Sequence, residues 1–225
     1  WTDGDTGRIE RYQSSGAGRL VSATDTDGNT VSYAYNANGT VQSVTDANGD
    51  EYVDCTMALG AVALGYAEPN VTRAVVEAIA SGNVSGLSSV REVDLAERLC
   101  GVIPCADRIQ FLKTGAEAVA AAVRLARTYT ARDLVIGAGY FGWLDWCSDD
   151  KAGVPDGTRR AFHRVPFDDV AALERAINEA GDRLAALVIE PVVERLPSAE
   201  WIAKARDLTT SVGAVLIFDE LKTGF

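Results

Sequence analysis

From about residue 70 onward the chain switches repeatedly between segments whose apolar residues recur every three to four positions and short unbroken apolar runs. The first kind marks a helix with one face toward a core, the second a strand buried on both faces. NVTRAVVEAIASG (70–82) predicts a helix with Asn70 as N-cap and Gly82 closing it, and REVDLAERLCG (91–101) a second with Leu95, Ala96 and Leu99 on one face. RIQFL (108–112) predicts a short strand, AEAVAAAVRLART (116–128) an Ala-rich helix, and DLVIGA (133–138) another strand. DDVAALERAINEAG (168–181) predicts a helix capped by Asp168 or Asp169, and LAALVIE (184–190) a strand. SAEWIAKARDLTTSVG (198–213) is a helix capped by Ser198 behind Pro197, and AVLIFDE (214–220) the strand after it. Strands of this kind separated by amphipathic helices imply an α/β fold with a mostly parallel sheet covered on both faces.

The first 50 residues differ in kind. They are rich in Gly, Thr, Ser, Asp and Asn, alternate apolar with polar, and carry Asp27–Gly28, Asn38–Gly39 and Asn48–Gly49. Such pairs favour type I′ turns, so short antiparallel hairpins are expected. GRLVSATDTDG (18–28) laid over GTVQSVTDANG (39–49) is identical at five of eleven positions, an internal repeat. GRLVSATDTDGNTVSYAYNANGTVQSVTDANG resembles the YD or Rhs repeats, which build β-rich wraps. That resemblance supports a second reading of the protein, as a structural or interaction module carrying an inactive α/β passenger.

Composition narrows the chemistry. A 225-residue chain that is 47% hydrophobic can bury one sizeable core, with or without a small appendage. Its net charge of −11, with Lys and Arg scattered, offers no phosphate-backbone footprint, so nucleic acid is not an expected partner. No apolar stretch approaches the roughly 18 residues needed to cross a bilayer, and WTDGDTGRIE is not a signal peptide. Cys55, Cys100, Cys105 and Cys147 form no C-x-x-C pair, which favours reduced thiols and a cytoplasmic location. One histidine, His163, excludes a His-rich metal site, and no metal is expected.

In a parallel sheet, ligands gather at the carboxyl ends of the strands. After RIQFL comes Lys113-Thr114-Gly115-Ala116, a turn opening straight into a helix, where free N–H groups and the helix dipole suit a phosphate. Glu190 ends one strand and Asp219 another, and a carboxylate there needs a cationic or hydrogen-bonding partner. GAGYFG (137–142) fits G-x-G-x-x-G, but WLDWCSDDKAGVPDG follows it with no helical stripe, and the acids further on read as helix caps. A nicotinamide dinucleotide loop needs both a helix and an acid at a strand end, so the turn is expected instead to present an aromatic ring to a flat heterocycle.

Five blocks carry a resemblance: EYVDCTMALGAVALGYAEPNV, CADRIQFLKTGAEAVAAAVRLARTYTARD, GYFGWLDW, ALVIEPV and GAVLIFDELKTGF. In this order they resemble class III aminotransferases, in particular the glutamate-1-semialdehyde aminomutase-like branch, over residues 43–225. The resemblance implies part of the large domain of a fold-type I pyridoxal 5′-phosphate enzyme, with residues 1–42 as a separate β-hairpin segment. It implies that Thr114, Gly115 and Ala116 hold the phosphate, Ala116 lacking the hydroxyl usual in the family. Tyr140 would stack on the pyridine ring, with Phe141 beside it where the family usually has His. Asp219 would pair with the pyridinium nitrogen, and Glu190 would stand beside the ring.

The resemblance further implies a small amino or keto substrate, a homodimer in the full-length form, and SGNVSGLSS (81–89) near the substrate entrance. The Schiff-base lysine of the family lies beyond the block that ends at Phe225. Of Lys113, Lys151, Lys204 and Lys222, only Lys222 falls within that block, at a variable position. The chain is therefore expected to be a fragment, inactive alone, without a catalytic residue of its own. Aminotransferase and aminomutase both stay open, as does the substrate.

Overall fold

The computed structural model describes residues 9–16, 18–25, 27–35, 41–52, 57–82, 86–150 and 152–224. The Asn38–Gly39 turn, Cys55, Lys151 and the centre of the 81–89 segment lie outside the described residues. The chain forms two compact units, Trp1–Leu87 and Ser88–Phe225.

The first unit contains a five-stranded antiparallel sheet in sequence order: β1 (Ile9–Ser14), β2 (Leu20–Asp25), β3 (Thr30–Tyr35), β4 (Val41–Thr45) and β5 (Glu51–Tyr52). Two of its turns are built alike. Asp25 N–H donates to Asn29 O and Gly28 N–H to Asp25 O, while Asp46 N–H donates to Asp50 O and Gly49 N–H to Asp46 O. Each Asp also accepts backbone N–H bonds on Oδ1, from Asp27 and Asn29 in one turn and from Asn48 and Asp50 in the other. Positive φ falls on Gly28 (87°) and Gly49 (88°), and Asn48 is not among the positive-φ residues. Type I′ would need two such residues, so the Asn48–Gly49 turn is instead a three-residue loop closed by a left-handed glycine. The Asp side chain decides this, because its carboxylate holds the preceding residues in a right-handed turn.

Helix α1 (Pro69–Ala80) starts two residues earlier than expected. Glu68, not Asn70, is its N-cap, accepting from Val71 N–H, because Pro69 with its fixed φ suits the first helical position. No residue of α1 is buried, and Val71, Val75, Val76 and Ile79 are exposed.

The second unit is a parallel α/β layer structure. After α2 (Val90–Val102, capped by Ser89) come α3 (Gly115–Thr130), β6 (Leu134–Ala138), α4 (Asp156–Arg159), β7 (Phe162–Arg164), α5 (Val170–Ala180), β8 (Leu184–Ile189), α6 (Ala199–Val212) and β9 (Val215–Phe218). The sheet order is β7-β6-β8-β9, all neighbours parallel. Its two faces read directly off the strands. Ile136, Ala138, Leu187 and Ile189 pack with Leu173 and Ile177 of α5 and Trp201 and Ala205 of α6. Val135, Ala186 and Val188 pack with Val119, Val123 and Ala126 of α3. All six residues of β8 are buried, and each such Val, Leu or Ile contributes about 1.5–3 kcal/mol by leaving water. No helix among the described residues is long and apolar enough to cross a membrane.

RIQFL does not form a strand. Residues 108–112 have no ladder partner among the described residues, and Leu112 is exposed. A strand requires a neighbour to take its N–H and C=O groups, and apolar alternation alone does not supply one. Conversely, β7 and α4 are only three and four residues long, too short to leave a periodic pattern in the sequence.

Candidate active site

The carboxyl edge of the parallel sheet brings three strand ends into register. Glu190 N–H donates to Ala138 O (3.1 Å) and Asp219 N–H to Ile189 O (2.9 Å), each extending a ladder one residue past its strand. Tyr140, Glu190 and Asp219 thus stand side by side beyond β6, β8 and β9.

The start of α3 closes against the same edge. Thr114 is its N-cap in a reciprocal capping box: Thr114 Oγ1 accepts from Glu117 N–H (3.2 Å), and Glu117 Oε2 accepts from Thr114 N–H (3.0 Å). The Thr114 hydroxyl acts here as an acceptor, so its hydrogen is left to donate outward. The first-turn N–H groups of Gly115 and Ala116 have no acceptor within the helix and sit at its positive end.

The three glycines of GAGYFG each have a steric task. A Cβ on Gly137 would lie 2.6 Å from the Phe141 ring and 2.8 Å from Phe162. On Gly139 (φ 136°) it would meet Glu190, and on Gly142 (φ 94°) it would lie 2.5 Å from Ala116 Cβ. The loop after β6 therefore lies on the first turn of α3, and on the other side Leu221 packs directly on Gly115.

Glu190 is the hub of this arrangement. It is 3% exposed. Its Oε2 accepts from Tyr140 N–H (2.7 Å) and its Oε1 pairs with Lys222 Nζ (2.8 Å). Asp219 Oδ1 accepts from Leu221 N–H (3.1 Å). Burial pushes the Asp219 carboxyl above its ordinary value; the Leu221 N–H opposes this, Glu190 adds to it, and Lys222 opposes it.

Tyr140 is 60% exposed at this edge, with Trp143 also exposed beyond it. Phe141, next in sequence, is placed differently. Its side chain is 1% exposed, stacked on Trp146 (6.3 Å, 20°) and edge-on to Phe162, so it faces the core and not the cluster. The space left by Gly137 takes that ring inward, so that of these two adjacent aromatics Tyr140 faces outward. Thr114, Gly115, Ala116, Tyr140, Glu190 and Asp219 are brought together.

Two residues of the neighbourhood have roles that the sequence does not signal. Lys222, at a variable position of its block, pairs with Glu190. Arg164 braces the loop from behind: its guanidinium donates to Gly139 O and to Cys147 O (3.1 Å) and pairs with Asp149 (2.9 Å). An arginine in a three-residue strand gives no sequence signal of that role. Among the described residues, no group of three or more His, Cys, Asp or Glu is placed to hold a metal ion.

Chemically the edge offers two first-turn amides and a hydroxyl able to hold an anion, an exposed aromatic face, and two carboxylates, one of them paired with an ammonium.

Comparison with known proteins gives the family of the chain. The class III aminotransferase family model matches residues 24–137. The chain is similar to the glutamate-1-semialdehyde 2,1-aminomutase of Polynucleobacter necessarius subsp. necessarius (strain STIR1), 35% identical over 203 residues, 80% of this chain and 47% of the relative. It is similar to that of Pyrobaculum aerophilum at 38% over 191 residues, 77% of this chain and 45% of the relative. The chain spans about half the length of the curated relatives it matches. Among solved structures it resembles an omega-transaminase from Sphaerobacter thermophilus (TM-score 0.74, 26% identity, 84% of this chain and 50% of that one). It also resembles a glutamate-1-semialdehyde aminomutase from Pseudomonas aeruginosa PAO1 (TM-score 0.66, 26% identity, 80% of this chain and 43% of that one). With the family model matching just over half of its residues, the chain belongs to the class III aminotransferases.

Proposed function

We propose that the strand-end cluster seats pyridoxal 5′-phosphate and that the protein works in amino-group transfer on a small amino or keto substrate, as an aminotransferase or an aminomutase. The observation that carries this is the convergence of the Gly115 and Ala116 amides, the exposed Tyr140 ring and the Asp219 carboxylate at one edge of one sheet. The solved relatives support the choice of cofactor, one being described as a transaminase with PLP bound (TM-score 0.73, 28% identity).

The donor set fits the group. Thr114 Oγ–H and the N–H groups of Gly115 and Ala116 would take the phosphate dianion, helped by the dipole of the 16-residue α3. Ala116 contributes its amide but no hydroxyl, which leaves one bond fewer than a Ser or Thr would give. Tyr140 would cover one face of the ring. Asp219 would hold a proton on the ring nitrogen, and that cation would in turn compensate the water Asp219 loses on burial, the main cause of its raised pKa. When bound, pyridoxal phosphate supplies an electron sink for the carbanion formed beside the amino group. The residues of this chain bind and orient it; the same reading makes the working enzyme a homodimer.

Pyridoxamine 5′-phosphate is the cleaner probe, because an amine cannot condense with surface lysines. Titrated into the chain and followed by its own fluorescence and by the phosphorus resonance, it should bind saturably with one site, weakened about tenfold or more by Asp219→Asn. Absence of saturable binding, or binding indifferent to both Asp219→Asn and Thr114→Ala, would overturn the proposal.

A further inference from the structure

The geometry points to Lys222 as a positioning residue: its ammonium fixes the Glu190 carboxylate, and Glu190, through the Tyr140 N–H, fixes where the exposed Tyr140 ring stands. Lys222 Nζ lies 2.8 Å from Glu190 Oε1, and Tyr140 N–H lies 2.7 Å from Glu190 Oε2. Two bonds to one carboxylate therefore tie together three strand ends far apart in sequence: the loop after β6, the end of β8 and the turn after β9.

The two partners are unequally placed. The Glu190 side chain is 5% exposed and that of Lys222 56%. An ion pair between two exposed groups contributes little. Here removing the outer partner would leave a carboxylate in the interior without its cation, which is the costly case. Glu190 would then be driven to turn toward water, and Tyr140 N–H would lose its acceptor. The backbone around Tyr140 can respond locally, because Gly139 precedes it at φ 136° and Phe141 behind it is anchored in the core. The Lys222 charge also pulls the Asp219 carboxyl down, against the effects of burial and of Glu190.

The role of Tyr140 toward a ligand rests on the function proposed above, but the positioning itself can be measured without any ligand. Amide hydrogen exchange at Tyr140 on the full chain, with Val188 and Ile189 in β8 as internal references, reads the Glu190 bond directly. Lys222→Met should speed Tyr140 exchange about tenfold or more while the β8 amides stay unchanged, and Lys222→Arg should restore protection to within about twofold. Unchanged Tyr140 exchange in K222M, or equal disturbance in K222R, would overturn the inference. If K222M does not fold, the Glu190→Gln background decides. A neutral amide oxygen keeps the acceptor and needs no cation, so adding K222M to E190Q should leave Tyr140 exchange unaltered, and an effect there overturns the inference. Failure of the wild-type chain to bind pyridoxamine phosphate would strike the proposed function and leave the exchange result standing.

Discussion

A Cβ added to Gly139 would lie 2.7 Å from Glu190 Oε2, the oxygen that accepts the Tyr140 N–H. The missing side chain at one strand end is thus the space occupied by the buried acid of the next. Gly139 also adopts φ 136°, a conformation that side chains with L chirality rarely take. Both demands fall on one residue, and they set where Tyr140 begins.

Gly139→Ala should accordingly destabilise the second unit by about 2–4 kcal/mol, combining backbone strain with displacement of Glu190. Gly213 provides the comparison. It also has positive φ (67°), but its added Cβ would meet only Arg132 at 3.7 Å. Gly213→Ala should cost about 1 kcal/mol, from the left-handed backbone alone. Urea unfolding of both variants checks this, and equal losses would show that the Glu190 contact contributes nothing.

Much of this framework is legible in the sequence because it is local. The buried strands β6, β8 and β9 announce themselves as apolar runs, and Ser198 behind Pro197 marks the start of α6. What fails is what depends on a partner. RIQFL carries the composition of a strand but finds no neighbour among the described residues. Tyr140 and Phe141 are adjacent aromatics, and which one turns outward is set by the space at Gly137. The Lys222–Glu190 pair joins residues 32 positions apart, and no spacing rule connects them.

Thr114→Ala removes one half of the capping box of α3. The loss of the Glu117 N–H acceptor should cost about 1 kcal/mol, within the usual range of about 0.5–2 kcal/mol for an N-cap. Thr114→Ser keeps both the acceptor and the outward hydroxyl and should stay within about 0.5 kcal/mol of wild type. Chemical denaturation measures the stability, and pyridoxamine phosphate titration separates capping from ligand binding, since only the alanine variant lacks the donor.

Asp219 should make the second unit less stable as pH rises. Its folded-state pKa lies above 3.8, so between 3.8 and that raised value the folded chain binds more protons than the unfolded one. Stability therefore falls through that window, and the penalty persists above it. Asp219→Asn keeps an acceptor for Leu221 N–H and removes the ionisation. The variant should be more stable than wild type at pH 7, indistinguishable from it below pH 3.8, and weaker in binding pyridoxamine phosphate. Stability curves against pH for the two proteins check the sign, and a wild-type protein that gains relative to D219N as pH rises would contradict it.

Arg164 and Cys147 share the back of the Tyr140 loop, and removing the first should expose the second. The Cys147 thiol is 2% exposed, with Sγ 3.6 Å from both Phe141 O and Leu144 O. Burial pushes it up to about 11, partly opposed by the Arg164 charge. In the native chain at pH 8 it should resist iodoacetamide, while the exposed Cys105 is alkylated. Arg164→Met leaves Gly139 O and Cys147 O without their guanidinium donor and should cost about 2–3 kcal/mol. Two effects then compete at the thiol: the lost positive charge raises its pKa further, while a loosened loop admits water. Desolvation is the larger cause of the native shift, so relieving it wins, and Cys147 should alkylate faster in R164M than in wild type. Peptide mapping after timed alkylation reads both cysteines at once. A Cys147 that stays as slow in the variant would mean that Arg164 does not hold the loop closed.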